Sequence, residues 1–205
     1  MAFIETVPVA EATGDVADMY ERVQAGMGYV PNYTKLFSQN PAAMAAWGKL
    51  LGSVRSRMDT RRYELTTLAA ACALRSSYCS LAHGTVLQEQ VLSPVQLTAV
   101  AADFTAADLA PSEVAMMAFA GQIARDATAI TAADIDQLRG HGFSDAEIFD
   151  LAATAAARCF FSKLLDALGA EPDAVYLELD DELRNHLTVG RPISEQAVEQ
   201  IPAAG

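Results

Sequence analysis

The chain has 205 residues, with 14 lysines and arginines against 26 aspartates and glutamates, a formal net charge of −12. That length fits one domain with a sizeable core, and the acidity argues against nucleic acid or an anionic membrane as partner, since no basic surface of any size is visible. Hydrophobic residues make up 52% and aromatics only 7%, with few β-branched runs, which favours helices over sheets.

Residues 15–28 place Val16, Met19, Tyr20, Val23 and Met27 at helical spacing, closing at Gly28 ahead of Pro31. Asn40-Pro41 offers an N-cap with proline at the first helical position, opening a helix through Trp47, Leu51 and Val54. Asp59 or Thr60 caps the next, in which Leu65, Leu68 and Cys72 share a face and Glu64 lies near the start. Arg75-Ser76-Ser77 reads as a break, with a serine as N-cap of the segment that carries Cys79 and His83. Ser93-Pro94 and Pro111 start two more helices, Thr131 and Asp134 signal another, and Ser144 with Glu147 forms a capping box. That last helix runs to about Leu168 and stops at Gly169, before Pro172. No strand alternation stands out. The expected organisation is a single helical domain over residues 1–175 and a polar, peripheral tail over 176–205.

No apolar run reaches the roughly 20 residues that span a bilayer, and Met1-Ala2-Phe3-Ile4-Glu5 shows no basic region ahead of an apolar stretch. Cys72, Cys79 and Cys159 are an odd and sparse set, as expected of reduced thiols. The expectation is a soluble, cytoplasmic protein. His83, His141 and His186 are too dispersed for a metal-ligand set, and no phosphate loop, nucleophile elbow or haem-attachment motif is present, so no cofactor is expected.

Ser76, Cys79 and His83 fall at i, i+3 and i+7, on one face of a helix. With Ser76 as cap, Cys79 sits near N3, where free amides and the helix dipole favour an anion. His83, one turn on, can take the thiol proton, and Glu64 can orient the imidazole. On spacing alone a plainer reading stands beside this one: Cys79 a small core residue, His83 a packing residue, Ser76 a cap and Glu64 a solvated carboxylate.

Glu64 followed twelve positions later by Ser76-x-x-Cys79-x-x-x-His83 resembles the Glu…Cys-x-x-Cys-x-x-x-His signature of the alkylhydroperoxidase D-like, carboxymuconolactone decarboxylase family. Ala12–Val16, Gly28–Tyr33, Leu92–Pro94, Gly142–Ile148 and Asp166–Gly169 are similar to stretches of its peroxidase-related branch, so the likeness covers roughly residues 1–175. It implies an all-α helical bundle that forms homo-oligomers such as trimers or hexamers. It also implies peroxide reduction without haem or metal, with recycling by an external thiol or dithiol partner. By position, Cys79 resembles the thiol that attacks peroxide, and Glu64 and His83 the proton relay. Two departures are plain. Ser76 replaces the first cysteine, so the two-cysteine cycle is lost at this motif, and Cys159 and Ser162 stand where the family often carries Asn.

The expected function is therefore a thiol peroxidase acting on hydrogen peroxide or organic hydroperoxides through Cys79, with Ser76 capping the helix and bonding the thiolate. Cys79 works alone with an external thiol, or Cys159 resolves it, or the site has been repurposed. Cys72 is a poor resolving partner, because seven residues along a helix is about 10 Å. Two alternatives remain: a lyase in which His83 and Glu64 do acid–base work on a small carboxylated substrate, and a non-catalytic, redox-sensing helical oligomer.

Overall fold

Cap residues fix most helix boundaries in this protein. The computed structural model describes residues 2–201. Helix α1 (Gly14–Met27) ends at Gly28, which is left-handed at φ 81° and returns its N–H to the Gln24 carbonyl; glycine takes that conformation without a Cβ clash. After the short α2 (Asn32–Leu36), α3 (Pro41–Arg55) opens on Asn40, whose side chain accepts from the Ala43 amide. Asp59 accepts likewise from the Arg62 amide to start α4 (Thr60–Ala73). Then come α5 (Ser77–Gln90), α6 (Pro94–Asp103), α7 (Pro111–Asp126) and α8 (Ala132–Gly140). The Ser144–Glu147 box opens α9 (Asp145–Ala167), with Ser144 N–H donating to Glu147 Oε2 at 2.9 Å and the Glu147 amide returning a bond to Ser144 Oγ. Gly169, at φ 78°, follows its end, and α10 (Asp181–Leu187) completes the set. Among the described residues the only β pairing is an isolated bridge, Val30 with Glu199, so the fold is all-α as expected.

Helix α4 is the central element, packed against α7, α5 and α9. Every residue from Tyr63 to Ala71 is buried. Small side chains, Thr66, Thr67 and Ala69–Ala71, let neighbours approach from several directions, as a helix without a solvent face requires. Leu65, Leu68, Leu81, Leu151 and Leu165 fill the core, and Trp47, Met116 and Met117 are buried with them.

The turn from α4 to α5 sets the site. Arg75 is left-handed at φ 57°. Its N–H bonds the Cys72 carbonyl, and the Ser76 N–H reaches back to the Ala71 carbonyl, both at 3.0 Å. This is a Schellman ending built on a residue other than glycine. Ser77 begins the next helix two residues later, so the break expected at residues 75–77 is there.

The segment after residue 175 departs from expectation. Instead of lying at the periphery, it folds back over α5: Leu183 and Leu187 are buried, and Gly190 N–H donates to Ser77 Oγ at 2.7 Å. The Ser80 hydroxyl donates to the Leu187 carbonyl, and Arg75 Nε to the Val189 carbonyl. The polar composition concealed two leucines at i and i+4, enough for one apolar stripe on a short helix. Gly190 sits so close to the turn that a Cβ there would stand 2.0 Å from the Arg75 carbonyl oxygen. Gly190→Ala should therefore destabilise the protein by about 1–3 kcal/mol, read as a lower urea midpoint. An unchanged midpoint would mean that the tail does not clamp this turn.

Candidate active site

The first turn of α5 is enclosed from Ser77 to Leu81, and Cys79 occupies N3 with 2% of its surface exposed. Two donors from α9 meet its sulfur. Ser162 Oγ lies 3.1 Å and Arg158 Nη1 3.5 Å from Sγ. Arg158 and Ser162 are one helical turn apart, so a single face of α9 presents both. Arg158 is itself buried, at 3% exposure. Its guanidinium lies 5.8 Å from the Trp47 ring centroid and 5.6 Å from that of Phe161, and those two rings stack at 5.0 Å. Cation–π contact offsets part of the cost of burying the charge.

Beside the sulfur lies a carboxylate–imidazole pair. His83 Nδ1 is 2.5 Å from Glu64 Oε2, and Glu64 is buried while the His83 ring keeps 17% of its surface. With Glu64 ionised, Nδ1 carries the hydrogen and Nε2 of the neutral ring is free to accept a proton. Arg55 Nη2 stands 3.9 Å from the other carboxylate oxygen and its guanidinium covers the Tyr63 ring. Tyr63 meets the His83 ring edge-on. His83 has its pKa lowered from the ordinary 6.5, first by burial and then by the Arg158 charge, against the opposing pull of Glu64. Its contribution to stability is therefore complete above pH 6.5 and declines as the pH falls below that value.

Three of the residues singled out in the sequence, Cys79, His83 and Glu64, are brought together. Ser76 is a correction. It occupies the N-cap position, and its carbonyl accepts from the Ser80 amide at 3.0 Å, but its buried hydroxyl makes no capping bond. It does not bond the thiol; Ser162 does. The Ser76 hydroxyl instead lowers the pKa of Asp166, opposing the larger rise that burial imposes. Burial pushes the Cys72 thiol up to about 11, which makes it inert near neutrality. All three cysteines are free thiols, and Cys159 is half-buried with Lys163 as its charged neighbour. Arg158 was not singled out by its sequence context. It stands in Ala-Ala-Ala-Arg158-Cys159, and nothing in that context sets it apart. Among the described residues no cluster of three or more His, Cys, Asp or Glu side chains is placed to hold a metal, and no helix is long and apolar enough to cross a membrane.

No protein-family model matches the sequence, and no curated relative matches it. Solved structures do. An alkylhydroperoxidase D core from Ralstonia eutropha, an uncharacterized peroxidase-related protein, superposes with a TM-score of 0.75 at 24% identity, over 93% of this chain and 98% of its own. The chain has the alkylhydroperoxidase D-like fold. A second uncharacterized peroxidase-related protein, from Silicibacter sp., gives 0.77 at 23% identity, over 86% of this chain and 94% of its own. The debrominase Bmp8 in its apo form gives 0.72 at 16% identity, over 89% and 96%.

Opposite charges acting on one ring give a signed test. In an NMR pH titration of the His83 ring, Glu64→Gln should move the midpoint further down, and Arg158→Gln should move it up. A midpoint that neither substitution moves would show that burial alone governs the imidazole.

Proposed function

We propose that this protein is a thiol-dependent oxidoreductase that reduces hydrogen peroxide or organic hydroperoxides at Cys79. The observation that carries the reading is the convergence of Ser162 and Arg158 on Sγ at the N-terminal turn of α5, next to the Glu64–His83 pair. A thiol sulfur is a poor acceptor and a thiolate a good one, so two donors aimed at one sulfur fit the charged form. The fold shared with peroxidase-related proteins supports the same class.

In this mechanism the Cys79 proton passes to His83 Nε2, and Glu64 holds the resulting imidazolium. No hydrogen bond joins Sγ to the ring directly, so a water or the substrate's own oxygen carries the proton across. The thiolate attacks the terminal oxygen of ROOH; an S–O bond forms as the O–O bond breaks. The alkoxide leaves with the proton from His83 as ROH, which leaves a sulfenic acid on Cys79. Depressed basicity suits His83 to this return step, because an imidazolium in that setting gives its proton back readily. An external thiol then condenses with the sulfenic acid, releasing water, and a second thiol frees Cys79 as a disulfide departs. Ser76 leaves no intramolecular disulfide at this motif, and the inert Cys72 offers none.

A second reading rests on the same pair. The Glu64–His83 bond exists without any bond to sulfur, as acid–base chemistry on a small carboxylated substrate would require. The debrominase likeness adds a third electrophile to assay: a variant of Bmp8 with a cysteine changed to alanine holds 2,3,4-tribromopyrrole.

Cys79→Ala should abolish peroxide consumption while leaving the fold intact by circular dichroism; turnover that survives the change overturns the thiol mechanism and favours the acid–base reading. If oxidation of Cys79 shifts the size-exclusion profile without turnover, the protein is a redox-sensing oligomer instead. Ser76→Cys should allow a disulfide with Cys79 under peroxide and speed turnover with dithiols, checked by intact and peptide mass spectrometry. If those two thiols stay apart, the proposed alignment of the α5 N-terminus is wrong.

A further inference from the structure

We infer that Arg158 is an anion subsite, and that the substrate of Cys79 carries an ionised carboxylate or an equivalent planar oxyanion. The inference rests on Cys79 as the reacting group and adds the class of molecule brought to it. A guanidinium has five N–H donors and cannot shed its charge. Burying one without a counter-ion costs several kcal/mol, so buried arginines are ordinarily paired with carboxylates. Arg158 is 3% exposed, yet among the described residues no carboxylate lies within ion-pair distance of it.

The site's own carboxylate is already engaged: Glu64 is held by His83 on one oxygen and faced by Arg55 on the other. Sγ of Cys79 takes Nη1, at 3.5 Å, and the Trp47 and Phe161 rings face the cation. Nε is left buried with no hydrogen-bond partner at all. The Nε edge of a guanidinium is the side that takes a planar oxyanion side-on, in a fixed geometry. An anion seated there would share one guanidinium with the sulfur. The Tyr63 hydroxyl, close enough for the Arg158 charge to lower its pKa against the rise caused by burial, completes a polar rim. His83 and Arg55 are the members of this cluster that reach solvent, and Arg55 places a positive charge at its mouth as well. The chain as a whole carries −12, which repels anions from most of the surface. A substrate of that sign therefore needs a local cation to overcome the field.

Two alkylating probes of the same size test this on the wild-type protein, iodoacetate and iodoacetamide. Each transfers its carbon to the Cys79 sulfur with loss of iodide, and they differ in charge. The ratio of their rates at Cys79, followed by peptide mass spectrometry, should exceed the same ratio for free cysteine by about tenfold or more. Arg158→Gln should bring it down to the free-cysteine value, and Arg158→Lys should recover part of it. Benzoate should protect Cys79 from iodoacetamide and change the fluorescence of Trp47, the sole tryptophan; benzamide should do neither.

If iodoacetamide labels Cys79 selectively while the ratio stays at the free-cysteine value, the anion subsite is overturned and the reactive thiol stands. If neither reagent selects Cys79 but benzoate, and not benzamide, moves the Trp47 signal, the subsite stands and the thiol reading falls. If neither reagent selects Cys79 and benzoate leaves Trp47 unmoved, both fall. The wild-type ratio and the benzoate titration decide the matter even if the Arg158 variants fail to fold.

Discussion

The site depends on the left-handed turn at Arg75. It ends α4 and starts α5 almost at once, so no loop is left to absorb a change in register between the helix that carries Glu64 and the one that carries His83. A non-glycine residue in that conformation costs about 1–2 kcal/mol. Two backbone bonds of the Schellman ending offset part of that cost, and contacts from the chain after α10 offset more, since Val189 and Gly190 bond the turn directly. The terminal segment thereby helps to fix the turn that positions Cys79.

Helix α9 supplies the other constraint. Arg158 and Ser162 point at one sulfur, and this alignment requires the guanidinium to sit inside the protein. Aromatic faces from α3 and α9 enclose it, and Trp47 links α3 to the site through the stack on Phe161. A cation so placed raises the cost of protonating His83, while Glu64 lowers it. The ring is thereby set between two opposing charges, and its readiness to give up a proton is a property of three helices.

Much of this was legible in the chain. Gly28, Asn40-Pro41, Asp59, Ser93-Pro94, Ser144 with Glu147, and Gly169 each mark a helix end by local chemistry, and each end is there. The spacing of Glu64, Cys79 and His83 was legible for the same reason: two of the three share one helix. Ser76 and Arg158 were not. A serine before a helix carries the cap signal whether or not its hydroxyl finds an amide, and here the capping bond is made by no one while Ser162, on a distant helix, takes the sulfur. Arg158 looks like any arginine in an alanine-rich helix, because its burial depends on partners from α3 and α5. The leucines of α10 were hidden by polar neighbours, since a seven-residue helix is too short for periodicity to stand out against composition.

Charge balance inside the cluster ties these features to chemistry. With Cys79 as a thiol and His83 neutral, the cluster holds Arg158 and Arg55 against Glu64. Moving the proton from sulfur to imidazole creates one charge of each sign and leaves the sum unchanged. Thus the proposed internal transfer would meet no penalty in total charge, and local contacts bear on both ends of it: two donors converge on the sulfur, and Glu64 holds the imidazole. The excess positive charge persists through both arrangements. Arg55 is half in solvent and weakly felt, so the unbalanced charge is concentrated on Arg158, beside the Cys79 sulfur. A bound anion would cancel it where cancellation is worth most, in the buried part of the site. On the proposed reading the anion and the Cys79 sulfur use different edges of one guanidinium, Nε and Nη1, and that division would let both be held at once.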